Sequence, residues 1–170
     1  ALVYPNHYRV GMSSLGFQTV YRLFNSSHDV ACERVFYGAP GLSPHEACSL
    51  SLESQRPLDE FPVLAFTLAF EMDYLNVVDL LRSVGLPPGA ADREDGHPLL
   101  IAGGPAVTAN PLPVATIFDA IFECVCEGSR DGKKVPWKNQ IGRYGGLRKA
   151  AATWAGDPVE LGTEEFLEIF

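Results

Sequence analysis

The 170 residues carry 46% hydrophobic and 20% charged side chains with a mean hydropathy of +0.04, the make-up of a folded chain able to bury one full core and carry an appendage. Residues 1–128 hold six of the thirteen Lys/Arg and fifteen of the twenty-one Asp/Glu, a balance of −9, whereas residues 129–170 balance at +1. An acidic main body repels phosphodiester backbone, which argues against nucleic acid as a partner of residues 1–128, and no apolar run is long enough to span a bilayer.

Leu2-Val-Tyr4 reads as the end of a first strand. The glycine-bearing stretch to Gly16 then reads as a loop, after which Ser13 or Ser14 caps a helix through Phe24 with Leu15, Val20, Leu23 and Phe24 as its apolar stripe. Ala31 to Tyr37 is a second strand. Gly38 to Pro57 is rich in helix breakers (Gly38, Pro40, Gly41, Pro44, Pro57) and reads as a long connection with one helical turn near His45–Leu52. Pro62 to Phe70 is nearly all apolar, as a central parallel strand covered on both faces would be. Met72 to Val84 has helical periodicity that Gly85-Leu-Pro-Pro88 ends. Asp92 to Pro98 reads as a polar loop, Leu99 to Ala102 as a strand, Gly103 to Asn110 as a small-residue loop, Pro111 to Phe118 as a short helix and Ala120 to Cys126 as the last strand.

Five strands alternating with crossovers predict a doubly wound α/β domain over residues 1–128, a flavodoxin-like or Rossmann-like parallel sheet that binds ligands beyond the carboxyl ends of its strands. Residues 129–170 differ: a polar, basic start, a helix over 142–155 and another after Thr163, with Trp137 and Trp154 for packing and no period-2 pattern to pair with the sheet. The chain starts at Ala1 inside an apolar run and stops at Phe170 inside an acidic, apolar-periodic segment. It therefore reads as a piece of a longer polypeptide, and with no signal-peptide layout the expected compartment is the cytoplasm.

Cys32, Cys48, Cys124 and Cys126 lack the spacing of a disulfide scaffold, and Cys124 and Cys126, with one residue between them, are poorly spaced for a metal or redox pair and read as small buried hydrophobes. A phosphoacceptor receiver, which shares the architecture, needs acids after the first and third strands, where this chain has Tyr4-Pro-Asn6 and Phe70-Glu71. A flavodoxin needs a hydroxyl-rich phosphate loop, of which Ser13, Ser14 and Thr19 are a thin version. Glu71 and Asp73 sit at a helix head and read as favouring its dipole rather than as paired catalytic acids.

Leu2-Val-Tyr-Pro-Asn6, Val10-Gly-Met-Ser-Ser-Leu-Gly16, Ser54-Gln-Arg-Pro-Leu58, Glu71-Met-Asp-Tyr74, Ile101-Ala-Gly-Gly-Pro105 and Asn110-Pro111 occur in an order that resembles the N-terminal domain of an uncharacterised family of radical SAM proteins, in which a cobalamin-binding-like domain precedes the radical SAM barrel. The resemblance covers about residues 1–122 and weakens at Glu123-Cys-Val-Cys-Glu-Gly128. It implies a parent enzyme using S-adenosylmethionine and a [4Fe–4S] cluster. The cluster's Cys-x3-Cys-x2-Cys motif is absent here, so this stretch is not catalytic alone. It also implies the barrel of the parent chain as partner.

Cobalamin domains that ligate cobalt carry Asp-x-His-x-x-Gly after the first strand. With Gly11 as that glycine the Asp and His places hold Asn6 and Tyr8; with Gly16 they hold Gly11 and Ser13. Neither register supplies an imidazole, and His7 lies one residue off. The family's hydroxyl at the end of the third strand survives as Thr67, and its paired glycines as Gly103 and Gly104. That pair reads either as a place where a flat ligand meets bare backbone or as a tight turn. The implied cofactor-binding set is thus Asn6, Tyr8, Gly11, Ser13, Gly16, Thr67, Gly103 and Gly104, with cobalt not held by the protein. The alternative function is a degenerate scaffold that docks on the barrel and guides substrate or partner.

Overall fold

The computed structural model describes residues 1–38, 50–125, 138–142 and 159–161. Its centre is a sheet whose strands, in spatial order, are β2 (Arg34–Phe36), β1 (Leu2–Tyr4), β3 (Val63–Thr67), β4 (Leu99–Gly103), β5 (Ala120–Val125), β6 (Lys138–Gly142) and β7 (Val159–Leu161). Strands β1 to β5 run parallel in the doubly wound order. β1 lies between β2 and β3, so the sheet reverses its winding there, the place where α/β sheets open a crevice at their carboxyl edge.

Alternation along β3 and β4 explains the two packed faces. Leu64, Phe66, Leu100 and Ala102 point to one side, where helix α3 (Asp73–Ser83) supplies Val77, Leu80 and Leu81. Ala65 and Ile101 point to the other, with Leu2, Tyr4 and Phe17 of helix α2 (Leu15–Phe24). The Ser14 hydroxyl caps α2 by accepting from the Phe17 amide at 3.4 Å. Gly85, at φ +73°, ends α3: the Leu86 amide turns back to the Leu81 carbonyl at 2.9 Å and the Gly85 amide to that of Arg82 at 3.1 Å.

Two short helices occupy stretches whose glycines and small residues predict loops. Helix α1 (Tyr8–Ser13) fills the first and helix α4 (Pro105–Ala109) the second. In α1, Gly11 is a packing residue: a Cβ there would lie 2.5 Å from the Phe36 ring and 3.0 Å from that of Tyr4. In α4, Pro105 stands at the first helical position, where its fixed φ suits the turn. The helix expected over 111–118 is only a 3₁₀ turn, Leu112–Val114. Most of the turn expected near His45–Leu52 lies outside the described residues, and at its end Leu50 forms a bridge with Pro57.

The expectation that residues 129–170 add no strand is corrected. β6 (Lys138–Gly142) pairs antiparallel with β5, and β7 (Val159–Leu161) with β6. Ladder bonds are made by the backbone, so a segment without alternating hydrophobicity can still close a sheet edge that would otherwise be left open. The helices expected over 142–155 and after Thr163, with Trp137 and Trp154, lie outside the described residues. Among the described residues no helix is long and apolar enough to cross a membrane.

Cys32 is buried, and burial pushes its thiol up to about 11 from an ordinary 9.0. The folded chain therefore keeps a proton that the unfolded chain releases, so this contribution to stability is intact below pH 9 and lost as pH rises towards 11. Urea midpoints measured from pH 8 to 11 should fall more steeply in the parent chain than in Cys32→Ala, and equal slopes would contradict the assignment.

Candidate functional site

The loops leaving β1, β3 and β4 at the carboxyl edge are laced together by the head of α3. Asp73 is only 1% exposed. One of its carboxylate oxygens accepts from the Asn6 side-chain amide at 2.8 Å and the other from the Phe70 backbone amide at 3.2 Å. Asn76 donates to the Pro5 carbonyl at 2.8 Å, and the Tyr74 hydroxyl to the Asn110 carbonyl at 3.2 Å. Burial, and secondarily the Asp73 charge, raises the pKa of the neighbouring Tyr4 phenol, which therefore stays neutral. Asp73 is thus more than a helix-dipole residue: it fixes the β1 loop against α3. Acidity at a helix head is legible in sequence, but a partner 67 positions away is not.

Seven of the eight sequence-derived site residues fall into two groups, and Gly104 stands apart. Asn6 is committed to the brace, giving its amide to Asp73 and accepting from the His7 amide at 2.8 Å. Tyr8 is 46% exposed and stands edge-on to Phe36 with centroids 5.2 Å apart. Gly11 is buried beneath Phe36. Ser13 returns its hydroxyl to the Val10 carbonyl at 2.7 Å, and Gly16 faces open space on the first turn of α2. His7 lies against Gly38, with Nδ1 3.4 Å from the Gly38 carbonyl oxygen. Asn6, Tyr8, Gly11 and Ser13 accordingly belong to a packed helix and its approach, not to an open loop.

Thr67 and Gly103 form the second group, and the sheet brings them side by side. They are register partners across β3 and β4, and Gly103 is in turn paired with Phe122 of β5. Following Ala65 and Ile101 by two residues, both fall on the α2 face at the carboxyl end. A Cβ on Gly103 would meet only Phe122, at 3.7 Å and 3.8 Å, which is ordinary contact. Among the described residues nothing else lies within 4 Å of such a Cβ. Among the described residues, no hydrogen bond involves the Thr67 hydroxyl.

Gly104 is different. Its φ is +115°, and a Cβ would lie 2.5 Å from the Leu68 carbonyl oxygen. Leu68 is held there from both sides: its amide donates to the Gly103 carbonyl at 2.8 Å and its carbonyl accepts from the Ala106 amide at 3.1 Å. Of the two readings of the glycine pair, close approach of a ligand suits Gly103 and the tight turn explains Gly104.

A shallow cleft lies at the other end of the sheet, beside the amino ends of β3 and β4, lined by Asp59, Glu60, Asp95 and His97 among others. No group of three His, Cys, Asp or Glu side chains suited to a metal ion occurs among the described residues.

A family model described as the N-terminal region of radical SAM proteins matches residues 16–130. An uncharacterized protein of Methanocaldococcus jannaschii is 24% identical over 129 residues, which is 76% of this chain and 24% of that relative. The chain thus spans about a quarter of the length of the curated relative it matches. No solved structure matches it.

Proposed function

The chain belongs to the family of N-terminal domains of radical SAM proteins, and on that premise we propose that it is the cofactor-binding module of such an enzyme, taking a cobalamin-type corrinoid at the carboxyl edge with no protein ligand to cobalt. The carrying observation is the Thr67–Gly103 pair: a hydroxyl next to bare backbone, in register, on one sheet face, where an added Cβ meets only ordinary contact among the described residues. Thr67 would donate to or accept from the polar nucleotide tail, and the Gly103 backbone would lie against it. A bound corrinoid supplies the cobalt chemistry, while the chain's residues bind and orient it. S-adenosylmethionine and the [4Fe–4S] cluster would belong to the barrel of the parent chain, the proposed partner; Cys32, Cys48, Cys124 and Cys126 do not have the cluster spacing.

The second reading, a scaffold that has lost its ligand and guides substrate or partner, is favoured by one observation. Gly11 and Gly104 are both accounted for by packing and backbone conformation, so they need no ligand to explain them.

Absorption spectra recorded while the protein is titrated with hydroxocobalamin separate the two. A red-shifted, saturable change is expected for the parent chain. Gly103→Val should weaken it about tenfold or more, equivalent to ~1.4 kcal/mol, by filling the approach to the backbone. The strand geometry at Gly103 tolerates Val, since its φ is not positive. His7→Ala should leave the cobalt spectrum unchanged. No saturable binding by the parent chain would discard the corrinoid reading in favour of the scaffold.

A further inference from the structure

Along the same carboxyl edge, the loop that follows Thr67 carries large apolar side chains into solvent. Phe70 is 52% exposed, Met72 71% and Leu75 63%, and Leu112 after α4 is 71% exposed. Phe70 and Met72 lead into α3, and Leu75 stands one turn after Met72, on the same side of the helix. The bond from Tyr74 to the Asn110 carbonyl brings the Leu112 turn beside that first turn of α3. Single exposed hydrophobes are ordinary, but several on adjoining elements beside a ligand edge mark an interaction surface. Leu15 and Leu23, the other strongly exposed leucines of the helices, lie on α2, on the opposite side of the sheet.

We infer that Phe70, Met72, Leu75 and Leu112 are the seat for the radical SAM portion of the same polypeptide, which would close over the carboxyl edge. The inference rests on the reading that such a portion accompanies this chain. Its support is the length of the relative: the 129 matched residues make up 24% of it, so a further part about three times the size of that matched segment would be available to cover the rim. The exposed Glu71 lies amid the apolar side chains, so the complementary patch should be apolar with a Lys or Arg facing that carboxylate.

Met72 supplies a built-in probe, because an exposed thioether takes up oxygen from peroxide to give the sulfoxide and water. Peroxide oxidation of Met72 should be about tenfold slower, or more, when the chain is joined to its radical SAM portion than in the chain alone. Peptide mass mapping reads each rate, with Met12 on α1 as internal reference. Phe70→Ser with Leu75→Ser, both at exposed positions, should restore fast Met72 oxidation in the joined protein while leaving its circular dichroism unchanged. Equal Met72 rates in the two forms would overturn the inference. So would protection that the double variant does not relieve, or protection of the chain alone that grows with its concentration, which would mean a second copy as occupant. All measurements are made without corrinoid, so failure here leaves the corrinoid titration to decide the cofactor reading independently.

Discussion

Replacing Asp119 with alanine is expected to remove about 3–5 kcal/mol of stability, because it breaks a buried ion pair and leaves the partner's charge behind. Arg93 and Asp119 are 0% and 1% exposed at their side chains, with 3.2 Å between Nη2 and the carboxylate. The guanidinium also donates to the carbonyls of Pro87, Pro88 and Ile117. The other carboxylate oxygen accepts from the Leu100 amide at 2.8 Å, and the Asp119 amide donates to the Leu100 carbonyl at 2.8 Å. One residue therefore joins the amino ends of β4 and β5 and neutralises the arginine that gathers the loop before β4. Asp119→Asn keeps an acceptor for Leu100 but not the charge, and should fall between the parent and the alanine variant. Urea denaturation with an unchanged slope checks this. A loss below about 1 kcal/mol for alanine would show that the pair is not what holds the loop. Both residues lie at the end of the sheet away from Thr67 and Gly103, so corrinoid affinity in the folded fraction should not change.

That cluster also shows where sequence reasoning stops. Asp92 to Pro98 reads as a solvated loop because it is polar, yet Arg93 within it is buried, since its partners come from residues up to 26 positions away. Periodicity cannot signal a contact of that kind. It does signal the strands: the apolar run around β3 and the Gly85 stop after α3 hold nearly where the pattern places them. Further failures are at glycines. Gly11 reads as loop, but it is the position at which α1 approaches Phe36 and Tyr4, a tertiary reason invisible in local composition. Asn6, Tyr8 and Ser13 fail as an open loop with it. That Thr67 and Gly103 close neighbouring strands was legible from the apolar runs before them, whereas their pairing in register is set by the sheet.

The adjacent glycines give the sharpest test, since one added methyl should have opposite consequences at the two. Gly104→Ala is expected to destabilise the fold by about 3 kcal/mol or more. At φ +115° an L side chain is strained before any neighbour is considered. The new Cβ would then stand 2.5 Å from the Leu68 carbonyl oxygen and 3.0 Å from its carbonyl carbon and amide nitrogen. Those are backbone atoms fixed by the bonds to Gly103 and Ala106, so relief requires the loops after β3 and β4 to separate and give up both bonds. Gly103→Ala meets only the Phe122 Cβ at 3.7 Å and its carbonyl oxygen at 3.8 Å and should stay within about 0.5 kcal/mol of the parent. Its effect should be on corrinoid affinity, smaller than that of Gly103→Val. A ligand-binding loss at Gly104 would therefore be uninformative, because the loop that frames the edge would have moved. If Gly104→Ala proved as stable as the parent, the tight-turn explanation would fall, and both glycines would have to be explained by what approaches them from outside the chain.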